Sequence, residues 1–120
     1  MGVRLVISSP AEHDRLVAAA SHLPQLLSTA LAAGLEAADK PGTIASVSGP
    51  GLLDMTRLAL SSHEIWKDIL STNGDEIAAE LERMEARLAA LRGSLTGEGT
   101  AKTFAEGRHF ALRLRPGHDD

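Results

Sequence analysis

The sequence contains no cysteine in its 120 residues. The chain therefore has no disulfide framework and no thiolate ligand for zinc, as expected of a protein from a reducing cytoplasm. It also has no excess of basic residues, since 12 Lys and Arg stand against 16 Asp and Glu and give a net charge of -4. Affinity for a polyanion comes mostly from clustered Lys and Arg, so we expect no nucleic-acid partner.

Long apolar runs are missing as well. The N-terminal piece at residues 3–7, VRLVI, is too short for a signal peptide and lacks a basic leader and a small-residue cleavage site. No uninterrupted apolar run approaches the roughly 20 residues that a bilayer requires. We therefore expect a soluble, cytoplasmic, single-domain chain with no membrane partner.

Sequence fingerprints of several catalytic sites are also absent. The chain has neither the G-x-G-x-x-G of a dinucleotide site nor the G-x-S-x-G of a serine nucleophile. HEIWK at 63–67 fails the two-histidine zinc pattern, because Lys67 stands where the second ligand should be. The sequence therefore predicts no metal site, no dinucleotide site of its own and no serine nucleophile in this chain.

The apolar residues that are present follow a helical period. Residues 3–7 predict one short strand, but from Glu12 onwards apolar residues recur at spacings of three and four and predict a helix ending near Gly34 or soon after. Pro24 lies inside this helix and predicts a kink, because proline cannot donate the main-chain hydrogen bond. The predicted buried stripe consists of Leu16, Ala20, Leu23, Leu27 and Leu31.

Four more helices are predicted after a glycine- and proline-rich loop at residues 39–51. The first is LLDMTRLAL, and the second is SHEIWKDIL, for which Ser61 and Glu64 form a capping box. A long third helix has a heptad seam suited to packing against one neighbour, and a fourth runs from about Ala101 to Leu114. The seam consists of Ile77, Leu81, Met84, Leu88, Leu91 and Leu95. The fold class predicted is all-α.

Four polar residues are candidates for a site: His13, Asp14, His22 and Arg57. Nine helical residues make two and a half turns, so only a kink or a second helix could bring both histidines to one pocket. Arg57 is the single cation in an apolar stretch, where an arginine is held by a nearby carboxylate or by an anionic ligand. The spacing of three residues from Asp54 favours the ion pair.

The order of these segments resembles the C-terminal helical domain of prephenate dehydrogenase. The resemblance rests on HD, then SHLP with an alanine-rich neighbourhood, a glycine-rich loop, a D-x-T-R-x-A-x-S run and a W-[RK]-D-I run. It covers about residues 2–95. The residues that agree in order and spacing are His13, Asp14, Ser21, His22, Leu23, Pro24, Asp54, Thr56, Arg57, Ser61, Trp66, Asp68 and Ile69.

The resemblance implies a helical dimerisation domain of the prephenate dehydrogenase type. Residues 1–9 would be a strand and linker left from a preceding nucleotide-binding domain, 10–95 the family-like helices, and 96–120 a C-terminal helix and tail. The implied reaction is the oxidative decarboxylation of prephenate to 4-hydroxyphenylpyruvate in tyrosine biosynthesis. NAD or NADP takes the hydride, and a histidine of the nucleotide-binding domain polarises the substrate hydroxyl.

The resemblance also implies roles for the candidate residues and partners. Arg57 would bind a prephenate carboxylate, His22 would lie in the pocket wall, and His13 with Asp14 would hold the helix start and the pocket rim. The expected partners are a second copy of the chain, bound through helices, and a nucleotide-binding domain in cis or in trans. NAD or NADP would bind to that domain, so this chain alone is expected to be inactive.

Two departures from the family pattern leave other functions open. Leu53 stands where many members carry Lys or Arg as a partner of Asp14, and Gln25 stands where a second histidine often follows SHLP. One alternative is therefore a noncatalytic helical dimerisation module that has lost the pocket. The other is a sensor that binds an aromatic metabolite in the same pocket. Prephenate and arogenate are equally compatible substrates at this stage.

Overall fold

A computed structural model describes residues 9–117, and this part of the chain contains helices and no strands, which confirms the all-α prediction. The strand predicted at residues 3–7 lies outside the described residues. Within the described part, the chain divides into two compact units, residues 9–81 and residues 82–117. Each unit is described by itself below.

The first unit begins with a helical stretch in three parts. Helix α1 spans Pro10–Val17, a π-helical turn spans Ala18–His22, and α2 spans Leu23–Ala38. Ser9 caps α1, since its hydroxyl accepts a hydrogen bond from the main-chain nitrogen of Glu12 at 3.1 Å. The following elements are α3 (Thr43–Ser46), α4 (Pro50–Thr56), a 3-10 helix (Arg57–Leu60), α5 (His63–Thr72) and the start of α6 (Gly74–Gly93).

Proline explains the π-helical turn. Pro24 cannot donate a main-chain hydrogen bond and its ring would press on the carbonyl of Ala20 in a regular α-helix. The chain instead widens by one residue just before it, so that the main-chain nitrogen of Leu23 bonds to the carbonyl of Ala18. The predicted disturbance at Pro24 thus takes the form of a π turn, a feature that often occurs at functional sites.

The buried face of the first long helical stretch differs from the prediction. Ala20 is exposed, and the four leucines predicted for the buried stripe are only half-buried. The positions that are buried carry small or polar side chains, namely Ala18, His22, Gln25 and Ser28. The predicted stripe was wrong because these polar side chains find hydrogen-bond partners on segments that are distant in sequence.

By length and composition alone, the continuous stretch Pro10–Ala38 is apolar enough to cross a membrane. It is not an uninterrupted apolar run, because charged and polar residues such as Asp14, His22 and Gln25 lie within it. Its contacts are those of a helix within a folded unit, because α2 packs against the 3-10 helix and α4. The polar residues Gln25 and Ser28 on α2 form hydrogen bonds to that 3-10 helix.

The loop after α2 is shorter than predicted. Helix α2 continues past Gly34 to Ala38, and the carboxylate of Asp39 then accepts hydrogen bonds from the main-chain nitrogens of Ile44 and Ala45 in α3. Gly42 precedes α3 with a φ of 96°, a left-handed conformation that favours glycine. The Ser61–Glu64 capping box was wrong, because α5 begins one residue later with Ser62 as its N-cap.

The second unit contains the end of α6 and helix α7, which spans Glu98–Arg113. The hydroxyl of Thr100 bonds to the carbonyl of Ser94 and so ties the first turn of α7 to the end of α6. Helix α6 ends at Gly93, so Leu95, the last residue of the predicted heptad seam, lies beyond the helix. Ile77 at the start of the seam is buried, whereas Leu88 and Leu95 are 55% and 68% exposed. The C-terminal half of the seam therefore presents apolar side chains at the surface.

Candidate functional site

His22 is the last residue of the π turn and lies among aromatic and amide groups. Its side chain is 9% exposed, and its ring meets the indole of Trp66 edge-on, with the centroids 5.8 Å apart and the planes at 88°. This T-shaped arrangement is a favourable geometry for two aromatic rings. Trp66 is the single tryptophan of the chain, so its contact with His22 can be followed by fluorescence.

Asn73 connects His22 to α1. This residue ends α5, and its side-chain nitrogen Nδ2 lies 2.9 Å from the carbonyl oxygen of Asp14 and 3.2 Å from Nδ1 of His22. One amide group therefore joins three parts of the first unit: α1, the π turn and the end of α5. We refer to His22, Trp66, Asn73 and the Asp14 carbonyl as the histidine cluster.

His13 and Asp14 lie on the outside of this cluster. Nδ1 of His13 is 3.5 Å from a carboxylate oxygen of Asp14, and both side chains are more than half exposed. Exposed ion pairs of this kind contribute little to stability.

Asp14 also lines a groove of about 290 Å³ together with Asp75 and Glu76, so this groove carries three carboxylates and does not suit an anionic ligand.

Arg57 is the first residue of the 3-10 helix, and its side chain is exposed. It lines a cavity of about 260 Å³ that also contains Asp54. The predicted ion pair with Asp54 was wrong, because no carboxylate of the described residues lies within ion-pair distance of the Arg57 guanidinium. The other residues that line this cavity are mostly apolar, namely Pro24, Leu27, Ser28, Met55 and Leu58.

Two buried polar side chains of α2 hold the segment that carries Arg57. The amide nitrogen of Gln25 donates to the carbonyl oxygen of Leu58 at 2.8 Å, and the hydroxyl of Ser28 accepts from the main-chain nitrogen of Ala59 at 3.0 Å. Gln25 and Ser28 are 6% and 3% exposed. Since a short 3-10 helix leaves main-chain groups unpaired, these two bonds fix it against α2.

We expect Ser28→Ala to lower the free energy of unfolding by about 1–3 kcal/mol, because the change leaves the nitrogen of Ala59 without its partner in a partly buried place. Urea denaturation at a fixed protein concentration measures the loss. Ser46→Ala is the matched control, since Ser46 is exposed and bonds only to the neighbouring carbonyl of Thr43. Equal stability of the two variants would mean that the bond from Ser28 does not hold the 3-10 helix.

The structure brings together only some of the predicted site residues. His13 and Asp14 meet each other, and Asn73 joins the main chain of Asp14 to His22. Arg57 lines a separate cavity that includes none of the other three predicted site residues, His13, Asp14 and His22. Leu53, which stands where the family often has a cation near Asp14, lies beside Arg57 instead. Sequence reasoning missed Asn73, Gln25 and Ser28, because their partners are 31 to 59 residues away along the chain.

A family model described as "Prephenate dehydrogenase, dimerization domain" matches residues 9–107. The chain belongs to this family. It is 28% identical over 124 residues to the cyclohexadienyl dehydrogenase of Zymomonas mobilis, which aligns with 99% of the chain. It is also 27% identical over 97 residues to the prephenate dehydrogenase of Bacillus subtilis, which aligns with 80% of the chain. The resemblance to prephenate dehydrogenase stated above is thereby confirmed.

The fold also matches a solved structure. The crystal structure of Synechocystis arogenate dehydrogenase aligns with 93% of this chain at a TM-score of 0.68 and 24% sequence identity, which shows a common helical fold. The chain spans 42% of the Zymomonas protein, 26% of the Bacillus protein and 40% of the Synechocystis chain. It therefore corresponds to one helical domain of these longer dehydrogenases.

Proposed function

We propose that this chain is the substrate-pocket and dimerisation domain of a dehydrogenase that oxidatively decarboxylates prephenate or arogenate in tyrosine biosynthesis. The observation that carries the proposal is Arg57, which is exposed, has no ion pair among the described residues and lines a mostly apolar cavity within a family-matched helical domain. An arginine fork matches a carboxylate in geometry and charge. A cyclohexadiene carboxylate would place its ring against the apolar wall.

The other candidate residues take supporting roles in this proposal. His22 does not line the cavity of Arg57 in the single chain, and in this proposal it extends the pocket wall beyond that cavity; its burial against Trp66 keeps the ring in one orientation. His13 and Asp14 belong to the rim and to the start of the helix rather than to the anion site, because the groove beside Asp14 is lined by carboxylates. No residue of this chain is assigned a catalytic role.

The residues of this chain do not fit a nicotinamide cofactor. A dinucleotide site uses a strand, a glycine-rich turn and the start of a helix, whereas residues 9–117 are helical without strands and the sequence lacks G-x-G-x-x-G. We therefore assign no contact with NAD or NADP to these residues. In the proposed enzyme the cofactor would accept the hydride while bound to a nucleotide-binding domain, in cis or in trans.

The proposal includes a cytoplasmic homodimer. Across residues 9–117 only two apolar residues are buried, Ala18 and Ile77, while large apolar side chains remain exposed in both units. A folded chain with so little apolar core is stabilised by covering these faces, and the family model describes a dimerization domain. The proposed partners are a second copy of the chain, the nucleotide-binding domain and the small-molecule substrate, with neither nucleic acid nor membrane.

One observation favours a second candidate function, a dimerisation module without a working pocket. Leu53 is 72% exposed and lines a neighbouring groove together with Arg57, at a position where the resemblance implies a cation, so Arg57 is the only positively charged residue lining either the groove or the cavity. Gln25 is also committed to the Leu58 carbonyl and to the Thr29 hydroxyl, which leaves its amide nitrogen without a hydrogen for a ligand. Such a module would dimerise and would not bind substrate.

Turnover by an assembled enzyme separates the two functions. A nucleotide-binding domain of the family, fused to this chain or supplied separately, should reduce NAD or NADP when prephenate or arogenate is added. The better of the two substrates then identifies the specificity. Dimerisation without turnover of either substrate would favour the module.

A further inference from the structure

The amide of Asn73 has only one orientation that fits its surroundings. A carbonyl oxygen can only accept a hydrogen bond, so the amide atom 2.9 Å from the Asp14 oxygen has to be the nitrogen Nδ2. The opposite orientation would place two oxygens against each other. The orientation of the amide is thus determined by its partner on α1 and does not depend on the histidine.

The same nitrogen faces Nδ1 of His22 at 3.2 Å. An amide nitrogen carries two hydrogens and has no lone pair to offer, so the second hydrogen points to Nδ1 and that ring atom accepts it. A ring nitrogen that accepts a hydrogen bond carries no proton. The ring hydrogen of neutral His22 must then be on Nε2.

Nε2 of His22 has no hydrogen-bond partner among the described residues. Among the described residues, every fully buried side-chain nitrogen or oxygen has a hydrogen-bond partner. His22 forms its hydrogen bond to Asn73 through Nδ1, so Nε2 has no such partner and cannot be fully buried. Nε2 therefore reaches solvent. The T-shaped contact with Trp66 fixes the plane of the ring, while Asn73 fixes which nitrogen carries the hydrogen.

We propose that Asn73 is a positioning residue that holds His22 as the Nε2–H tautomer, so that the ring offers one fixed N–H donor to an acceptor oxygen of the ligand. The ligand part of this inference rests on the proposed substrate pocket. The tautomer part rests only on the hydrogen-bond geometry of the chain and can be tested without any substrate.

Nitrogen-15 NMR of the imidazole rings in the full chain tests the proposal, with His22→Gln used to assign the signals. At about pH 8, where ordinary histidines are neutral, wild-type His22 should carry its hydrogen on Nε2 only. A scalar coupling between Nδ2 of Asn73 and Nδ1 of His22 should also be visible across the hydrogen bond. A hydrogen on Nδ1 in the wild-type protein would overturn the proposal.

Substitutions at Asn73 provide the second measurement. In Asn73→Asp a carboxylate, which only accepts, replaces the donor and should move the ring hydrogen of His22 to Nδ1. In Asn73→Ala the tautomer ratio should return to that of exposed His63, which serves as the internal reference in every sample. A His22 tautomer that is unchanged in both folded variants would overturn the proposal, and if neither variant folds, the wild-type tautomer and coupling still decide it.

Failure of this inference can be told apart from failure of the proposed function. A wild-type ring with its hydrogen on Nδ1 would remove the role of Asn73 and leave the role of Arg57 untouched. Conversely, an assembled enzyme without turnover would contradict the ligand part of the inference, while the tautomer assignment of His22 would still hold.

Discussion

The double substitution Leu88→Glu and Leu95→Glu is expected to convert the protein from a dimer into a monomer. Leu88 lies on α6 and Leu95 lies two residues after its end; both belong to the predicted heptad seam and are more than half exposed in the single chain. Burying one leucine contributes about 1.5–3 kcal/mol, and a two-fold interface contains each position twice. Since 55% of Leu88 and 68% of Leu95 remain to be covered, the loss of four leucines amounts to about 4–7 kcal/mol, or a dimer at least roughly 500-fold weaker.

Sedimentation equilibrium measures this change directly. The wild-type chain should be a dimer at micromolar concentration, and the double variant should be a monomer with a lower midpoint of thermal unfolding. Ala86→Glu is the matched control, because Ala86 lies on the same helix, is exposed and is outside the seam. A stable wild-type monomer, or a double variant that still dimerises like the control, would show that α6 does not form the interface.

Arg57→Ala is expected to weaken binding of prephenate by about 1.5–3 kcal/mol, or roughly 10- to 150-fold, because the substrate carboxylate loses a charged hydrogen-bond donor. The free energy of unfolding should hardly change, since Arg57 is exposed and has no ion pair among the described residues. Calorimetric titration of the assembled enzyme measures affinity, and urea denaturation measures stability.

Lys67→Ala is the control for the loss of one positive charge from the same unit. Lys67 pairs with Glu64 at 3.1 Å on the exposed surface of α5 and does not line the cavity of Arg57. Its removal should leave affinity for prephenate unchanged and cost less than about 1 kcal/mol of stability. If Arg57→Ala lowers stability and leaves affinity unchanged, Arg57 is a structural residue and the dimerisation module becomes the better explanation.

The helices could be predicted from the sequence because their signals are local. Apolar residues three and four apart, glycines at the breaks and a proline inside the first helix are all visible within a few turns. Helix α6 contains the predicted seam from Ile77 to Leu91 but ends at Gly93, before Leu95. The disturbance at Pro24 was expected, although its form as a π turn was not. The observed helix ends differ from the predicted ends by one to several residues, because the positions of proline and glycine are compatible with more than one starting residue.

The buried contacts could not be predicted in the same way. His22, Gln25 and Ser28 are polar residues that a periodicity argument places outside the core. Their burial depends on Asn73, Leu58 and Ala59, which lie on segments at least 31 residues away. The predicted Arg57–Asp54 pair does not form either, because both residues are exposed and an ion pair in that setting contributes little to stability.

Cofactor reduction by the assembled enzyme is the most direct measurement of the proposed function. When this chain is combined with a nucleotide-binding domain of the family, absorbance of NADH or NADPH should rise on addition of prephenate or arogenate. This chain alone should neither bind the cofactor in calorimetry nor produce any rise. A stable assembly that binds the cofactor but oxidises neither substrate would contradict the proposed function.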